Sequence, residues 1–367
     1  MPALSNPHHA RFMARALQLA ARGRGRVSPN PLVGACVVRN GHIIAEGYHA
    51  NFGGPHAEIV ALKRLGKRAK GATLYVTLEP CSTWGKTPPC TDFIRQNGIK
   101  HVVIGCQDPN PLHAGRGIRL LRQKGIRVTA NILREEAVKL NEAFAKWIKT
   151  QMPFVILKMA ESLDGKIATE TGDSKWVSGK AAREWAHSLR ASVDGILVGK
   201  NTILKDNPRL TARHGRFKRT NPWRLVLDTK AQLSNRHRIF HQSGTTVLVC
   251  GESYLNRAVQ KHRRSHISVM PVKLKDQKID LRELVIKLGR LGVTSLLVEG
   301  GGETAASFLK SHLVDKIYFV IAPKIIGGKH APTAVEGDGI RLLKEAKTIL
   351  RVQVRLLDRD LLVEGYC

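Results

Sequence analysis

The sequence predicts two α/β domains in tandem, and three observations carry that prediction. The chain has 367 residues, more than a single hydrophobic core of ordinary size organises. Short apolar runs alternate with segments of helical periodicity along its whole length, the pattern of layered α/β architecture. Near Thr150-Gln-Met-Pro153 the pattern restarts, with no internal repeat and no long linker. The expected division is therefore 1–150 and 151–367.

In the first part, Phe12, Ala16 and Leu19 share one face of a helix within residues 11–20. LVGACVV and HIIAEGYH flank Asn40-Gly41, a pair suited to a type I′ turn, so 32–49 reads as a hairpin. HAEIVALKRLGKR follows as a helix, with Ile59, Leu62 and Leu65 three apart. ATLYVTL (72–78) and HVVIGC (101–106) read as strands. Between them TDFIRQNG reads as a short helix, with Thr91 as its cap and Gly98 at its end. Residues 134–149 are expected to be helical.

The second part opens with FVILKMA, then GILVGK, WRLVLDT, TTVLVC, TSLLVEG and KIYFVIA, all strand-like. DLRELVIKLGRLG and ETAASFLKSHL supply helices between some of them. The closing segment, TILRVQVRLLDRDLLVEGY, reads as two antiparallel strands joined at Asp358-Arg359. RLTARHGRFKRT (209–220) is the expected mobile loop.

Composition narrows the function classes. The cysteines, at 36, 81, 90, 106, 250 and 367, form no extracellular framework, which fits a reducing, cytoplasmic setting. No apolar run reaches the roughly 18 residues of a membrane helix, and no signal peptide is evident. The net charge of +31 divides into +15 for residues 1–150 and +16 for the remainder. A charge so spread speeds capture of a phosphorylated small molecule, without forming a dedicated nucleic-acid patch.

The chemistry concentrates in one constellation. EPCSTWGKTPPC (79–90) holds two cysteines in a proline-stiffened loop, and Pro55-His56-Ala57-Glu58 precedes it. His56, Cys81 and Cys90 make one imidazole and two thiolates, three protein ligands that leave zinc an open fourth position, as catalytic sites do. Cys90 begins the following helix, where a lowered thiol pKa is expected. Glu58, two residues past His56, can lie beside the metal as the proton carrier. H-x-E paired with P-C…C is the zinc nucleobase-deaminase signature.

The spacing makes a resemblance specific. Pro80-Cys81 is followed by eight residues before Cys90, and CSTWGKTPPC resembles the bifunctional pyrimidine deaminase/reductase family of bacterial riboflavin biosynthesis. Pro29-Asn30-Pro31-Leu-Val-Gly34, Gly47-Tyr-His49, Asp108-Pro-Asn-Pro111 and Ala114-Gly-Arg-Gly117 match the same family. The resemblance covers essentially the whole chain. It implies a cytidine-deaminase-like α/β/α domain followed by a dihydrofolate-reductase-like α/β domain. It further implies that Asn30 and His49 contact the pyrimidine and Lys86 the ribose phosphate. Where the family often has a phosphate-binding histidine, this chain has Thr83.

The second part lacks G-x-G-x-x-G and so lacks the Rossmann fingerprint. It does have Val298-Glu-Gly-Gly-Gly-Glu303 between a strand and a helix, where close backbone approach and free amides suit a pyrophosphate. Leu157-Lys-Met-Ala160, Gly172-Asp-Ser-Lys-Trp176, Asp206-Asn-Pro208 and Ala322-Pro-Lys-Ile-Ile-Gly-Gly328 resemble the reductase half of the family. The resemblance implies NADPH as cofactor, held by Ala160, Trp176, Thr202, Asp206, Gly301, Gly302, Glu303 and Thr304. It implies substrate contacts from Ser174, Arg190, Leu210, Arg213 and Glu299. Arg190 and Arg213 are suited to bidentate phosphate contacts, and Trp176 to offering a flat ring face. Lys158, inside a strand, needs a partner or a task, and we expect it to position or protonate an open-chain sugar.

The expected protein is thus a soluble homo-oligomeric enzyme acting on a phosphorylated pyrimidine, with no membrane or specific nucleic-acid partner. Two other readings are an RNA-base deaminase and a nucleic-acid-binding protein with a structural metal. The C-x8-C loop and the second-half motifs count against the first. The second needs four converging ligands, and only three are found.

Overall fold

The computed structural model describes residues 7–84, 88–212, 221–263 and 267–367. The chain divides into two compact units, Met1–Gln151 and Met152–Cys367.

The first unit contains α1 (Pro7–Ala20), β1 (Gly34–Arg39), β2 (His42–Tyr48), α2 (Ala57–Lys63), β3 (Thr73–Leu78) and α3 (Cys90–Gln96). It continues through β4 (His101–Cys106), α4 (Arg116–Gln123), β5 (Arg127–Thr129), α5 (Arg134–Leu140) and α6 (Glu142–Thr150). The sheet order is β2-β1-β3-β4-β5. β1 is antiparallel to both its neighbours, and β3, β4 and β5 run parallel.

The apolar run in β1 has a physical reason: both of its faces are covered. Ala35 and Val37 pack with Ala61 and Leu62 of α2 and Ile94 of α3. Cys36 and Val38 pack with Phe12, Met13, Ala16 and Leu19 of α1 on the other side. The first helix therefore buries the stripe its periodicity predicts. The hairpin turn places Asn40 and Gly41 at φ 50° and 76°, as a type I′ turn requires.

Two local expectations fail. Thr91 is not the cap of α3: the helix starts at Cys90 with Pro89 before it, and the buried Thr91 hydroxyl has no hydrogen-bond partner. The helix expected over 134–149 breaks at Asn141. That side chain leaves the helical path to accept from the Leu32 amide at 2.8 Å and donate to the Leu32 carbonyl at 2.9 Å. A side chain that satisfies both backbone groups of a distant residue outweighs helix continuity.

The second unit contains β6 (Phe154–Ser162), α7 (Lys180–Arg190), β7 (Gly195–Gly199), α8 (Lys200–Asp206), β8 (Trp223–Leu227), β9 (Thr246–Gly251), α9 (Leu255–His262) and β10 (Ile267–Val272). After a short hairpin, β11 (Leu274–Lys275) and β12 (Lys278–Ile279), come α10 (Leu281–Arg290), β13 (Ser295–Glu299), α11 (Gly302–Lys310), β14 (Lys316–Ala322), β15 (Leu350–Leu357) and β16 (Asp360–Tyr366).

Nine strands form one sheet in the order β10-β9-β8-β7-β13-β6-β14-β16-β15. It is parallel from β10 to β14, and the last two pairings are antiparallel. Val155, Leu157 and Met159 of β6 pack into one cluster with Leu284 and Leu288 of α10 and Phe308 of α11. Ala182 and Trp185 of α7 pack over Val320 and Leu362 on the other face. The six strand-like runs of the second half, its two helices and the closing antiparallel pair all lie where the pattern places them. Most of the loop at 209–220 falls outside the described residues. Among the described residues no helix is long and apolar enough to cross a membrane.

Candidate functional site

In the first unit, three elements bring three ligand atoms to one point. His56 stands immediately before α2, Cys81 follows β3, and Cys90 is the first residue of α3. His56 Nδ1 lies 3.2 Å from Cys90 Sγ and 3.6 Å from Cys81 Sγ. All three ligand atoms fall within 4.8 Å of one another. Ligand atoms on a tetrahedral zinc, with bonds of about 2.0–2.3 Å, stand about 3.5–3.8 Å apart. One imidazole and two sulfurs at these separations fit that ion, and among the described residues no fourth side chain joins them.

The site's electrostatics follow from this crowding. The Cys81 thiol is held down at about 4, first by a hydrogen bond from Cys90, with His56 assisting and burial opposing. The Cys90 thiol moves the other way, pushed up by the same shared proton and by burial. The two neighbouring sulfurs share one proton, so the lowering belongs to the pair and one of the two is thiolate without any metal. A divalent cation bound by these ligands would take that proton's place. His56 is raised to about 9, chiefly by its hydrogen bond to Cys81.

Glu58 lies in the first turn of α2, 3 % exposed, with Oε2 lacking a hydrogen-bond partner. Burial pushes its carboxyl above the ordinary range. An unpaired buried carboxylate oxygen is costly, and here it sits beside the ligand cluster. His49 Nδ1 donates to the Pro55 carbonyl at 3.1 Å, which leaves Nε2 to accept from Asn30 Nδ2 at 3.1 Å. The His49 and His56 rings meet edge to face at 5.8 Å between centroids. Asn30, His49, His56, Glu58, Cys81 and Cys90 therefore form one neighbourhood. Lys86 lies outside the described residues, and Thr83 and Trp84 are exposed.

Glu79 has no role in the sequence reading above, yet it organises this site. It is 4 % exposed and accepts three backbone amides, from Asp108 (3.1 Å), Gly115 (2.9 Å) and Ile118 (3.1 Å). It clamps the segment that carries DPNP and AGRG onto the strand leading to Cys81. Gly117 packs so closely that a Cβ there would stand 2.1 Å from the Pro80 carbonyl oxygen, so only glycine fits. An acidic residue between an apolar strand and Pro-Cys was the available signal.

In the second unit the named residues gather in three groups. Glu299 ends β13 in register with Lys158 of β6. Arg190, the last residue of α7, places Nε and one terminal nitrogen 2.8 and 2.7 Å from Glu299 Oε2. The fork expected to bind phosphate is thus turned onto a buried carboxylate, because Glu299 is 5 % exposed and needs a cation. Glu299 Oε1 keeps no hydrogen-bond partner. Burial pushes Glu299 up, but Arg190 and Lys158 outweigh it and hold the carboxyl below its ordinary value. Burial lowers the Lys158 ammonium, with Glu299 opposing. Lys158 makes no hydrogen bond or ion pair with the described residues.

The second group surrounds the glycine turn that opens α11. Gly300 and Gly301 take φ 83° and 67°, which glycine adopts freely. A Cβ on Gly301 would stand 3.5 Å from the Thr202 hydroxyl and 3.8 Å from that of Thr304. Thr202, Gly301, Gly302 and Thr304 thus converge on one helix start, with Glu303 in its first turn. In the third group Ser174 Oγ donates to Asp206 Oδ1 at 3.4 Å. Trp176 is 62 % exposed, but Arg183 lies over its ring at 4.8 Å, so one of its two faces is already occupied. Ala160 is half-buried beside α7. Leu210 is buried at φ 50°, and Arg213 lies outside the described residues. His187, which the sequence reading missed, pins this segment through Nδ1 to the Thr211 carbonyl at 3.2 Å.

The fold and the metal triad define a class: a two-unit enzyme chain with a zinc-type deaminase domain ahead of a reductase domain. The cytidine and deoxycytidylate deaminase zinc-binding region matches residues 6–106, and the RibD C-terminal domain matches residues 153–358. The riboflavin biosynthesis protein RibD of Aquifex aeolicus is 41% identical over 96% of this chain and 96% of its own length. That of Actinobacillus pleuropneumoniae is 40% identical over 96% and 94%. The crystal structure of a diaminohydroxyphosphoribosylaminopyrimidine deaminase/5-amino-6-(5-phosphoribosylamino)uracil reductase from Thermotoga maritima is similar with TM-score 0.85 and 39% identity. It covers 98% of this chain and 99% of that one. Acinetobacter baumannii RibD superposes with TM-score 0.87 at 32% identity over 98% and 99%. The chain belongs to the RibD family of riboflavin-biosynthesis proteins.

Proposed function

We propose that the chain carries out two successive steps of riboflavin biosynthesis in the cytoplasm, as a homo-oligomer. Residues 1–150 hydrolytically deaminate 2,5-diamino-6-(5-phosphoribosylamino)pyrimidin-4(3H)-one. Residues 151–367 then reduce the ribosyl side chain to ribityl with NADPH. The observation that carries this reading is the meeting of His56, Cys81 and Cys90 beside the unpaired carboxylate oxygen of Glu58.

In the first step His56, Cys81 and Cys90 hold zinc. Bound zinc supplies Lewis-acid chemistry that makes water a nucleophile at neutral pH. Glu58 takes the proton from the water that attacks the amino-bearing ring carbon, then hands protons to the nitrogen that leaves as ammonia. Asn30 and His49 orient the pyrimidine, with the neutral His49 ring fixed by Pro55. Lys86 meets the ribose phosphate, and Thr83 offers it one uncharged hydroxyl.

In the second step Ala160, Trp176, Thr202, Asp206, Gly301, Gly302, Glu303 and Thr304 hold NADPH. Bound NADPH supplies the reducing equivalent. Ser174, Arg190, Leu210, Arg213 and Glu299 hold the substrate. The Arg190–Glu299 pair keeps the carboxylate ionised, and Glu299 Oε1 is left to accept a ribose hydroxyl. Lys158 positions the open-chain sugar imine and donates the proton its nitrogen gains.

Metal removal separates the steps. Dialysis against a chelator should stop ammonia release and leave NADPH oxidation on the deaminated substrate at its original rate. Added zinc should restore the first activity. Undiminished ammonia release from metal-free protein would contradict the assignment.

A further inference from the structure

β6 and β14 run side by side, and their last residues, Ser162 and Ala322, are register partners. Beyond Ala322 the chain at 323–336 folds back against residues 162–170 and runs to the start of α11. The Leu163 amide donates to the Lys324 carbonyl at 2.8 Å, and the Ile167 amide to the Pro332 carbonyl at 2.9 Å. Lys166 Nζ donates to the Ala331 carbonyl at 3.2 Å. The Glu336 amide donates to the Gly302 carbonyl at 3.2 Å.

Both ends of this segment touch residues assigned above to NADPH. At one end Lys324 Nζ donates to the Trp176 carbonyl at 2.7 Å. At the other, a Cβ on Gly302 would collide with the Thr333 carbonyl oxygen, so the segment packs directly on the glycine turn that opens α11. The joined segments also keep large apolar side chains open to solvent. Leu163 and Trp176 are each 62 % exposed and Ile325 71 %. Apolar groups held out by polar ties in this way mark a ligand-facing surface.

One carboxylate anchors the segment. Asp164, two residues past the end of β6, accepts the Ser162 hydroxyl at 2.6 Å and the successive amides of Ile326 and Gly327 at 3.0 and 2.7 Å. Gly327 takes φ 70°, and successive amides in such a turn form an anion-binding concavity. Here an aspartate of the chain itself fills it. The Ser162 hydroxyl first, then the two amides, hold its carboxyl down at about 2. Asp164 is therefore ionised near neutrality and its hydrogen bonds are charge-assisted. The side chain is exposed and belongs to neither buried cluster of the second unit, so its bonds serve the segment and not the core.

We infer that Asp164 is a positioning residue of the NADPH site: by anchoring 323–336 it sets both Trp176 and the Gly301–Gly302 turn before the cofactor arrives. It touches no reacting atom. Preorganisation of this kind lowers the cost of binding and leaves the chemistry of the bound complex alone. The inference rests on the NADPH reading above.

Steady-state kinetics of the full chain on the deaminated substrate, with NADPH varied, test it. Asp164→Asn puts an amide where a carboxylate met two donating amides. It should raise KM for NADPH about tenfold, with kcat within about twofold of the wild type. Fluorescence titration of NADPH without substrate should show the same weakening, and ammonia release should not change. Lys324→Met cuts the tie to Trp176 and should raise the same KM. In the double variant the two effects should not multiply, because both residues act through one segment. An unchanged KM overturns the inference, and so does a fall in kcat with a lower melting temperature at unchanged KM, which would make Asp164 a support of the fold alone. Effects that multiply in the double variant also overturn it. Wild-type protein that binds no NADPH would instead overturn the cofactor reading itself.

Discussion

Glu58→Gln should lower ammonia release by about 10²–10⁴-fold, the usual share of a positioned general acid–base group. Glutamine keeps the length and buried seat of the side chain, at a position only 3 % exposed, but can neither take a proton from water nor return one. The three ligand atoms belong to other residues, so zinc content should stay at one ion per chain. Reduction of the already deaminated substrate should be unchanged, because Glu58 and the three ligands all belong to the first unit. Metal analysis and the two assays on one preparation separate the outcomes. Lost zinc would make Glu58 a structural support of the ligands, and normal deamination would remove it from the chemistry.

Lys158→Met should be the second large loss, about 10²-fold or more in the turnover of the reductase. Methionine preserves the volume of the stem. The ammonium makes no direct hydrogen bond or ion pair with the described residues, so its removal takes away only its through-space attraction for the Glu299 carboxylate, which Arg190 still pairs at 2.7 Å. Because Arg190 still neutralises Glu299 and the desolvation cost of the ammonium is relieved, the variant should melt close to the wild type. Loss of rate with retained or increased stability distinguishes a catalytic lysine from a structural one. Burial lowers the ammonium pKa, with Glu299 opposing, and a lowered pKa makes the ammonium a readier proton donor. An unchanged reductase rate would end this role.

Legibility differed between elements for physical reasons. Strands buried on both faces, such as GACVV and FVILKMA, announce themselves as continuous apolar runs, and the stripe of α1 needs only its own periodicity. α4 and α7 carry weak apolar stripes: α4 buries one large side chain, Leu121, beside Gly117, and α7 buries only the small Ala182 and Ala186. β10 is an edge strand carrying Pro271 and is mostly half-buried, so its apolar signal is weak. The metal triad was readable because its chemistry depends on residue types and short spacings. The Arg190–Glu299 and Asn141–Leu32 contacts each join residues 109 positions apart, and no local pattern encodes such a meeting. The Cys81–Cys90 proton, likewise, belongs to a distance between sulfurs that spacing alone does not set.

The most direct test gives purified protein the diaminopyrimidine ribose phosphate, with and without NADPH, and follows the products by mass. Without NADPH, one amino group should be exchanged for oxygen and the reaction should stop there. With NADPH, the same product should then gain two hydrogens. A substrate that keeps its amine in the presence of zinc, or gains hydrogens before losing it, would contradict the account.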